Sequence, residues 1–228
     1  MTTGDLARRI AHGLSYPFSP PEQSYLFRKG RMEPLTSFDQ AGRTPVVASG
    51  SNGSPQRLAE KYADSAEIPV TYGTIRDLVP VFAARVTSYG SIPATLAVIE
   101  GATAQVHVTW LTDAQIEIMH GTESVGVGYS WSRLSGFDLD LGVHGKPDSA
   151  FAYLSVHGAF TPEGRLMPLK DVSQTEAQKH VMACTGFDGD LEAFVGRHVQ
   201  DVAYRRELNQ ALARFGSEIT HPGIERLI

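Results

Sequence analysis

The sequence has little cysteine and no long apolar run. A single cysteine, Cys184, among 228 residues excludes an internal disulfide bond and a cysteine-based metal cluster. This usage is typical of a reducing compartment, so we expect a cytoplasmic location. No apolar segment is long enough to span a membrane, and residues 1–15 lack the apolar stretch of a signal peptide.

Basic residues are also scarce relative to acidic ones. The chain has 20 Lys and Arg against 25 Asp and Glu, a formal net charge of -5, so it lacks the basic surface of a nucleic-acid-binding protein. The eight histidines do not show the His-Glu-x-x-His spacing of a zinc protease. We therefore predict no metal and no other cofactor. The expected partner is a small-molecule substrate, without nucleic acid or membrane, and a homodimer is left open.

Three consecutive parts are predicted, within one domain large enough to bury a core. Residues 1–44 form an arm, in which residues 5–14 are helical and the prolines of residues 16–21 enforce extended chain. Its aromatic side chains indicate that it packs on the body. Residues 45–170 form that body, and residues 171–228 are helices that complete it.

Short strands and helices are intermixed before residue 170, and only helices follow, which favours an α+β class. Capping boxes at Thr112 and Ser173, each with Gln or Glu three residues later, predict two helix starts. Other helices are expected from residue 55, over 190–199 and over 201–215. Predicted strands lie at residues 45–48, 79–86, 94–99, 105–111, 127–134 and 151–157.

Residues 49–53, Ser-Gly-Ser-Asn-Gly, connect a buried strand to a helix that begins at Ser54-Pro55. Consecutive backbone amides in such a turn can bind a carboxylate or phosphate. A plain connecting turn explains the same residues equally well. The residues of this loop do not match a G-x-S-x-G nucleophile elbow, a Walker loop or a dinucleotide-binding fingerprint. A hydrolase with Ser51 as nucleophile therefore ranks last among the alternatives.

Glu123 follows a short helix that is expected to end at Gly121. A glutamate there is either solvated or a partly buried general base. Two residues of the strand before this helix are expected to have no role in the site. His107 alternates with the apolar residues and is expected to face solvent, whereas Trp110 belongs to the core.

The loop and Glu123 together resemble the γ-glutamylcyclotransferase-like superfamily. Residues 49–58 are similar to its Tyr-Gly-Ser-Asn loop and following helix, and residues 108–111, 119–123 and Tyr129 match its later strand, glutamate segment and strand-starting tyrosine in order and spacing. The resemblance covers residues 45–134. It implies an α+β fold built on a small mixed β-barrel with flanking helices and a helical C-terminal segment.

The resemblance also implies a reaction, in which the free amine of a γ-glutamyl group attacks its own side-chain amide and releases 5-oxoproline and an amine. Glu123 would be the general base and acid. The residues implied to bind the substrate are Ser49, Gly50, Ser51, Asn52 and, as a pocket wall, Tyr129.

Three departures from the family pattern leave the substrate open. Ser49 replaces the loop tyrosine, His120 replaces the aspartate before the glutamate, and Glu176 occupies a later tyrosine position. The alternative function is a non-catalytic or accessory binding domain on the same fold, as in the domain appended to allophanate hydrolases.

Overall fold

The computed structural model describes residues 3–62 and 66–228, in which helices cover a large mixed sheet. The helices are α1 (Thr3–Leu14), α2 (Pro55–Lys61), α3 (Asp113–Glu123), α4 (Gln174–Thr185), α5 (Leu191–Gln200) and α6 (Val202–Leu212). The strands are β1 (Tyr25–Arg28), β2 (Arg31–Pro34), β3 (Thr44–Ala48), β4 (Glu67–Phe82), β5 (Ala94–Leu111), β6 (Tyr129–Ser135), β7 (Leu139–Asp140), β8 (Ser149–Ser155), β9 (Ala159–Phe160), β10 (Gly216–Ser217) and β11 (Ile224–Arg226). The sheet order is β11-β6-β8-β3-β5-β4-β1-β2, with β7 also on β4 and a separate β9-β10 pair.

The hairpin of β4 and β5 is the longest part of the sheet and links two regions of the core. Its strands have 16 and 18 residues, interrupted by a bulge at Asp77, whose carboxylate accepts the Gly101 amide at 2.5 Å. Bulges bend and twist a strand pair. On one side of this bulge, Ile68 packs in the cluster beneath α2 and α3. On the other side, Phe82 packs in the cluster formed with α4, α5 and α6.

Helix α1 of the N-terminal arm lies on this second cluster. Its Ile10 is buried with Val195 and Val199 of α5. Ile10 also lies close to Gly196 of α5, where an added Cβ would be 3.4 Å from the Ile10 Cδ1 atom. The arm therefore contacts the C-terminal helices as well as the sheet, which it joins through the β1-β2 hairpin at one edge.

The α+β class is confirmed, but the expected barrel is wrong. Closure requires the two outer strands to pair. The outer strands here are β2 and β11, and no pairing between them occurs among the described residues. Strand β2 is mostly exposed and carries Arg31 and Glu33, and charged, short edge strands resist further pairing. The sheet therefore stays open.

Local signals predicted the helix starts more accurately than the strands. Both capping boxes form, and α2 begins with Pro55 at its first position. The strand predictions missed the hairpin within the arm, residues 67–78 of β4, and the continuity of β5 through Gly101. The expectation that only helices follow residue 170 was wrong, because β10 and β11 lie in that segment. No helix in residues 3–62 or 66–228 combines the length and apolar character needed to cross a membrane.

Candidate active site

The loop after β3 is a tight turn whose glycines permit close approach by other side chains. Residues 51–53 form one turn of 3₁₀ helix, and Ser54 then occupies the N-cap position of α2. A Cβ added at Gly50 would lie 2.0 Å from the Tyr16 hydroxyl, and one at Gly53 would lie 2.8 Å from the His107 ring. These positions therefore need glycine because of their neighbours.

The N-terminal arm holds this loop from outside. The Ser54 hydroxyl does not cap α2 but donates to the Phe18 carbonyl at 3.2 Å. His107 is buried rather than solvated, and its Nε2 lies 2.6 Å from the Pro21 carbonyl oxygen. The expectation of a solvent-facing His107 was wrong because the arm covers that face of β5. Burial accordingly lowers the His107 pKa.

Glu123 is the last residue of α3, which continues through Gly121 and ends where Ser124 adopts the left-handed conformation. The expected helix end at Gly121 was therefore wrong. A glycine inside a helix costs only about 1 kcal/mol relative to alanine. The helix extends two residues beyond Gly121, and the side chain of Glu123 at its end is only 14% exposed.

Lys61 and Asn52 fix one oxygen of the Glu123 carboxylate. Lys61 Nζ, whose side chain is 2% exposed, forms an ion pair with Glu123 Oε1, and Asn52 Nδ2 donates to the same oxygen at 3.1 Å. Lys61 Nζ also donates to Asn52 Oδ1 at 2.7 Å, which closes a three-membered polar cluster. In the described residues, Oε2 of Glu123 has no hydrogen-bond partner.

The Glu123 carboxyl is ionised at neutral pH. Burial is the largest single influence and acts to raise its pKa, but Lys61, Asn52 and Arg57 together hold that pKa below its usual value of 4.5. Desolvation favours the neutral acid, whereas a nearby cation and a hydrogen-bond donor favour the carboxylate. The carboxylate is therefore present as a proton acceptor.

The loop and Glu123 face one cavity of about 190 Å³. All six residues predicted from the sequence line it: Ser49, Gly50, Ser51, Asn52, Glu123 and Tyr129. No hydrogen bond joins the Ser51 hydroxyl to a histidine in the part of the chain described, so the nucleophilic-serine alternative gains no support. No group of His, Cys, Asp or Glu in residues 3–62 and 66–228 is placed to hold a metal ion.

Two tyrosines frame the cavity through the same residue of β5. The Tyr16 hydroxyl accepts the Ala94 amide at 2.9 Å, and the Tyr129 hydroxyl donates to the Ala94 carbonyl at 3.1 Å. Burial raises the pKa of both phenols, so they remain neutral donors. Tyr16 belongs to the arm and places an aromatic hydroxyl against Gly50, next to Ser49, where the resemblance had implied the loss of one.

His120 and Glu176, the other two departures from the family pattern, lie in different environments. His120 Nδ1 lies 2.8 Å from the Tyr153 hydroxyl, and its ring packs edge-on against Trp131. Tyr153 lines the cavity, so His120 contacts one residue of the cavity wall. Glu176 is exposed and completes the capping box of α4, away from the cavity lining.

The sequence did not predict Tyr16, Arg57 and Arg85, which line the cavity, or Lys61, which forms the ion pair with Glu123. Lys61 and Arg57 lie one turn apart on α2, a spacing that places both on one helix face, so a pair of cations beside the loop was a usable signal. Tyr16 and Arg85 reach the site only through tertiary packing and carry no local signature.

Comparison with known proteins gives distant structural likeness only. No protein-family model and no curated protein matches the chain. One solved structure, named gamma-glutamyl cyclotransferase, is similar with a TM-score of 0.42 and 12% identity over 79% of this chain and 92% of that one. Another, an uncharacterized protein from Homo sapiens, has a TM-score of 0.41 and 13% identity over 88% and 93%.

Proposed function

We propose that the protein is a γ-glutamylcyclotransferase-like enzyme that cyclises a γ-glutamyl or related amide substrate, releasing 5-oxoproline and an amine. The observation that carries the proposal is the Glu123 carboxylate, which borders the same cavity as the loop and has one oxygen fixed and the other unpartnered in the described residues. A fixed carboxylate in a small polar cavity is suited to repeated proton transfer.

The proposed reaction needs only proton transfer and orientation. Glu123 Oε2 takes a proton from the substrate's ammonium group, and the resulting amine attacks the side-chain carbonyl carbon to form the five-membered ring. The leaving nitrogen receives that proton from Glu123 and a second one released by the attacking nitrogen, and the C–N amide bond breaks. Because both reacting groups belong to one molecule, holding it in a folded conformation supplies much of the rate.

Lys61 would set the strength of this base. It keeps Glu123 ionised, and so able to accept a proton, at neutral pH, but it lowers the proton affinity of the carboxylate; the same low pKa makes the protonated acid a ready donor to the leaving amine. Asn52 would keep the carboxylate from rotating. Tyr16 and Tyr129 border the cavity. The Tyr16 hydroxyl, which accepts from Ala94, could donate to the amide carbonyl, whereas the Tyr129 hydroxyl donates to Ala94 and could only accept.

The proposal is tested by incubating the protein with γ-glutamyl amino acids and γ-glutamyl amines and measuring released 5-oxoproline. Glu123→Gln should lower kcat by about 100-fold or more, the usual contribution of a general base. Glu117→Gln is the matched control, because Glu117 is exposed on the same helix. Equal turnover in Glu123→Gln and wild type would refute the role of Glu123.

The alternative function is a non-catalytic binding domain on this fold. It is favoured by one observation: the buried ion pair with Lys61 lowers the proton affinity of Glu123, as in a purely structural pair. This alternative predicts binding of 5-oxoproline or a γ-glutamyl compound without turnover. Release of 5-oxoproline by wild type, but not by Glu123→Gln, would exclude it.

A further inference from the structure

Two arginines border the candidate cavity with part of each guanidinium unsatisfied. Five buried side-chain atoms in the described residues lack a hydrogen-bond partner, and two of them are Nε of Arg57 and Nε of Arg85. Both residues line the cavity. The other three atoms belong to Gln178 and His198 among the C-terminal helices. Because buried polar groups are normally satisfied, two such donors at one cavity indicate an acceptor that binds there.

Arg85 has fewer hydrogen-bond and ion-pair partners than Arg57. Its side chain makes no ion pair and no hydrogen bond to any residue in the described parts of the chain. It lies against the turn before β6, where a Cβ added at Gly128 would be 2.5 Å from Nη1. Gly128 therefore accommodates the guanidinium, which packing holds at the cavity without any anion from the protein.

Arg57 is partly compensated. Its Nη1 donates to Glu60 at 2.5 Å, its guanidinium lies 5.7 Å from the centre of the Tyr89 ring, and its side chain is 23% exposed. Only Nε remains without an acceptor. Arg57 can therefore add a donor to an anion that Arg85 binds, but its charge is already balanced.

Among the charged side chains around the cavity in the described residues, one cation has no acidic partner. Glu123 is paired with Lys61 and Arg57 with Glu60, whereas Arg85 has no acidic partner in the described residues. The Nε–H of the partly buried Arg85 has no acceptor, and a planar carboxylate satisfies a guanidinium with two parallel hydrogen bonds. A neutral ligand would leave this charge uncompensated.

We propose that Arg85 is the residue that binds the carboxylate of the γ-glutamyl group, and that it thereby determines which compounds this site binds. The choice of compounds below rests on the proposed function. The carboxylate would be held at Arg85 and the amine directed to Glu123, on a ligand small enough for about 190 Å³. The loop amides would then face the amide carbonyl rather than the carboxylate.

The test measures binding separately from turnover. Isothermal titration calorimetry compares 5-oxoproline with 2-pyrrolidinone, which has the same ring without the carboxylate. Wild type should bind 5-oxoproline roughly 10- to 100-fold more tightly, the contribution of a charge-assisted pair. Arg85→Met should abolish this preference, and Arg85→Lys should retain part of it because a single ammonium replaces the fork. Arg206→Met, at an exposed arginine of α6, should behave as wild type.

Each outcome decides the inference. Equal binding of the two compounds by wild type, no binding of either, or an unchanged preference in Arg85→Met would overturn it. A near-ultraviolet circular dichroism spectrum identical to wild type would verify that each variant is folded. If Arg85→Met does not fold, the binding preference of Arg85→Lys decides the question. If no γ-glutamyl compound is turned over but the preference depends on Arg85, the proposed catalysis fails and the carboxylate subsite stands.

Discussion

Replacing Lys61 with methionine would leave the Glu123 carboxylate buried without its cation. The two side chains are 2% and 14% exposed, so solvent compensates little of the loss. Breaking a buried pair by removing one partner costs about 3–5 kcal/mol. For a chain of this size, that corresponds to a fall in Tm of roughly 6–20 °C.

The prediction is measured by urea unfolding, followed by the fluorescence of the buried Trp110 and Trp131. The double variant K61M/E123Q removes both charges while retaining similar side-chain volumes. It should recover roughly 2–3 kcal/mol relative to the sum of the single variants. Lys179→Met, at an exposed lysine of α4, is the control.

The loss in Lys61→Met should also depend on pH, with a defined sign. In wild type the Glu123 pKa is lowered, so its stabilisation is present above about pH 4.5 and is lost as the pH falls. Without Lys61, burial raises that pKa, and the folded state is then favoured at low pH and loses stability as the pH rises. The gap between wild type and Lys61→Met should therefore be largest near pH 7 and narrow below about pH 4.5. A loss under about 1 kcal/mol at pH 7, or a gap that widens in acid, would refute the buried pair.

Two further predictions concern the contact between Tyr16 and the loop. Gly50→Ala should destabilise the protein by about 1–3 kcal/mol, because the new Cβ would overlap the Tyr16 hydroxyl. Adding Tyr16→Phe should relieve part of this loss in thermal melts, and an additive double variant would contradict the contact. Tyr16→Phe alone should cost about 1–3 kcal/mol, because the buried Ala94 amide loses its acceptor. Tyr204→Phe, at a partly exposed tyrosine of α6, is the control, and equal melting of Tyr16→Phe and wild type would argue against the hydrogen bond.

Local chemistry made part of the site predictable from the sequence. The loop residues are adjacent, and the capping box at Thr112 sets the start of the helix whose last residue is Glu123. The spacing of residues in the sequence therefore predicted both the loop and the helix that carries Glu123. The end of α3 was less predictable, because Gly121 is a common helix stop and the actual stop is a left-handed Ser124.

The remainder of the site depends on contacts between distant segments. Alternation along β5 placed His107 in solvent, but the arm residue Pro21 covers that face. Arg85 reaches the cavity only because β4 ends beside the turn at Gly128. The barrel was wrong for a similar reason, since strand patterns indicate pairing along an edge but not whether the last edges meet.

One rim of the cavity, residues 87–89, depends on the C-terminal helices. Gln178 of α4 donates to the Gly90 carbonyl at 2.7 Å, and Gly90 packs against Val195 and Val199 of α5. During synthesis from the N-terminus, this rim lacks its supports until residue 199 has emerged. A nascent chain that already contains the loop, Glu123 and Arg85 would therefore be incomplete as a binding protein, and truncation before α5 would yield the polar residues without the shaped cavity.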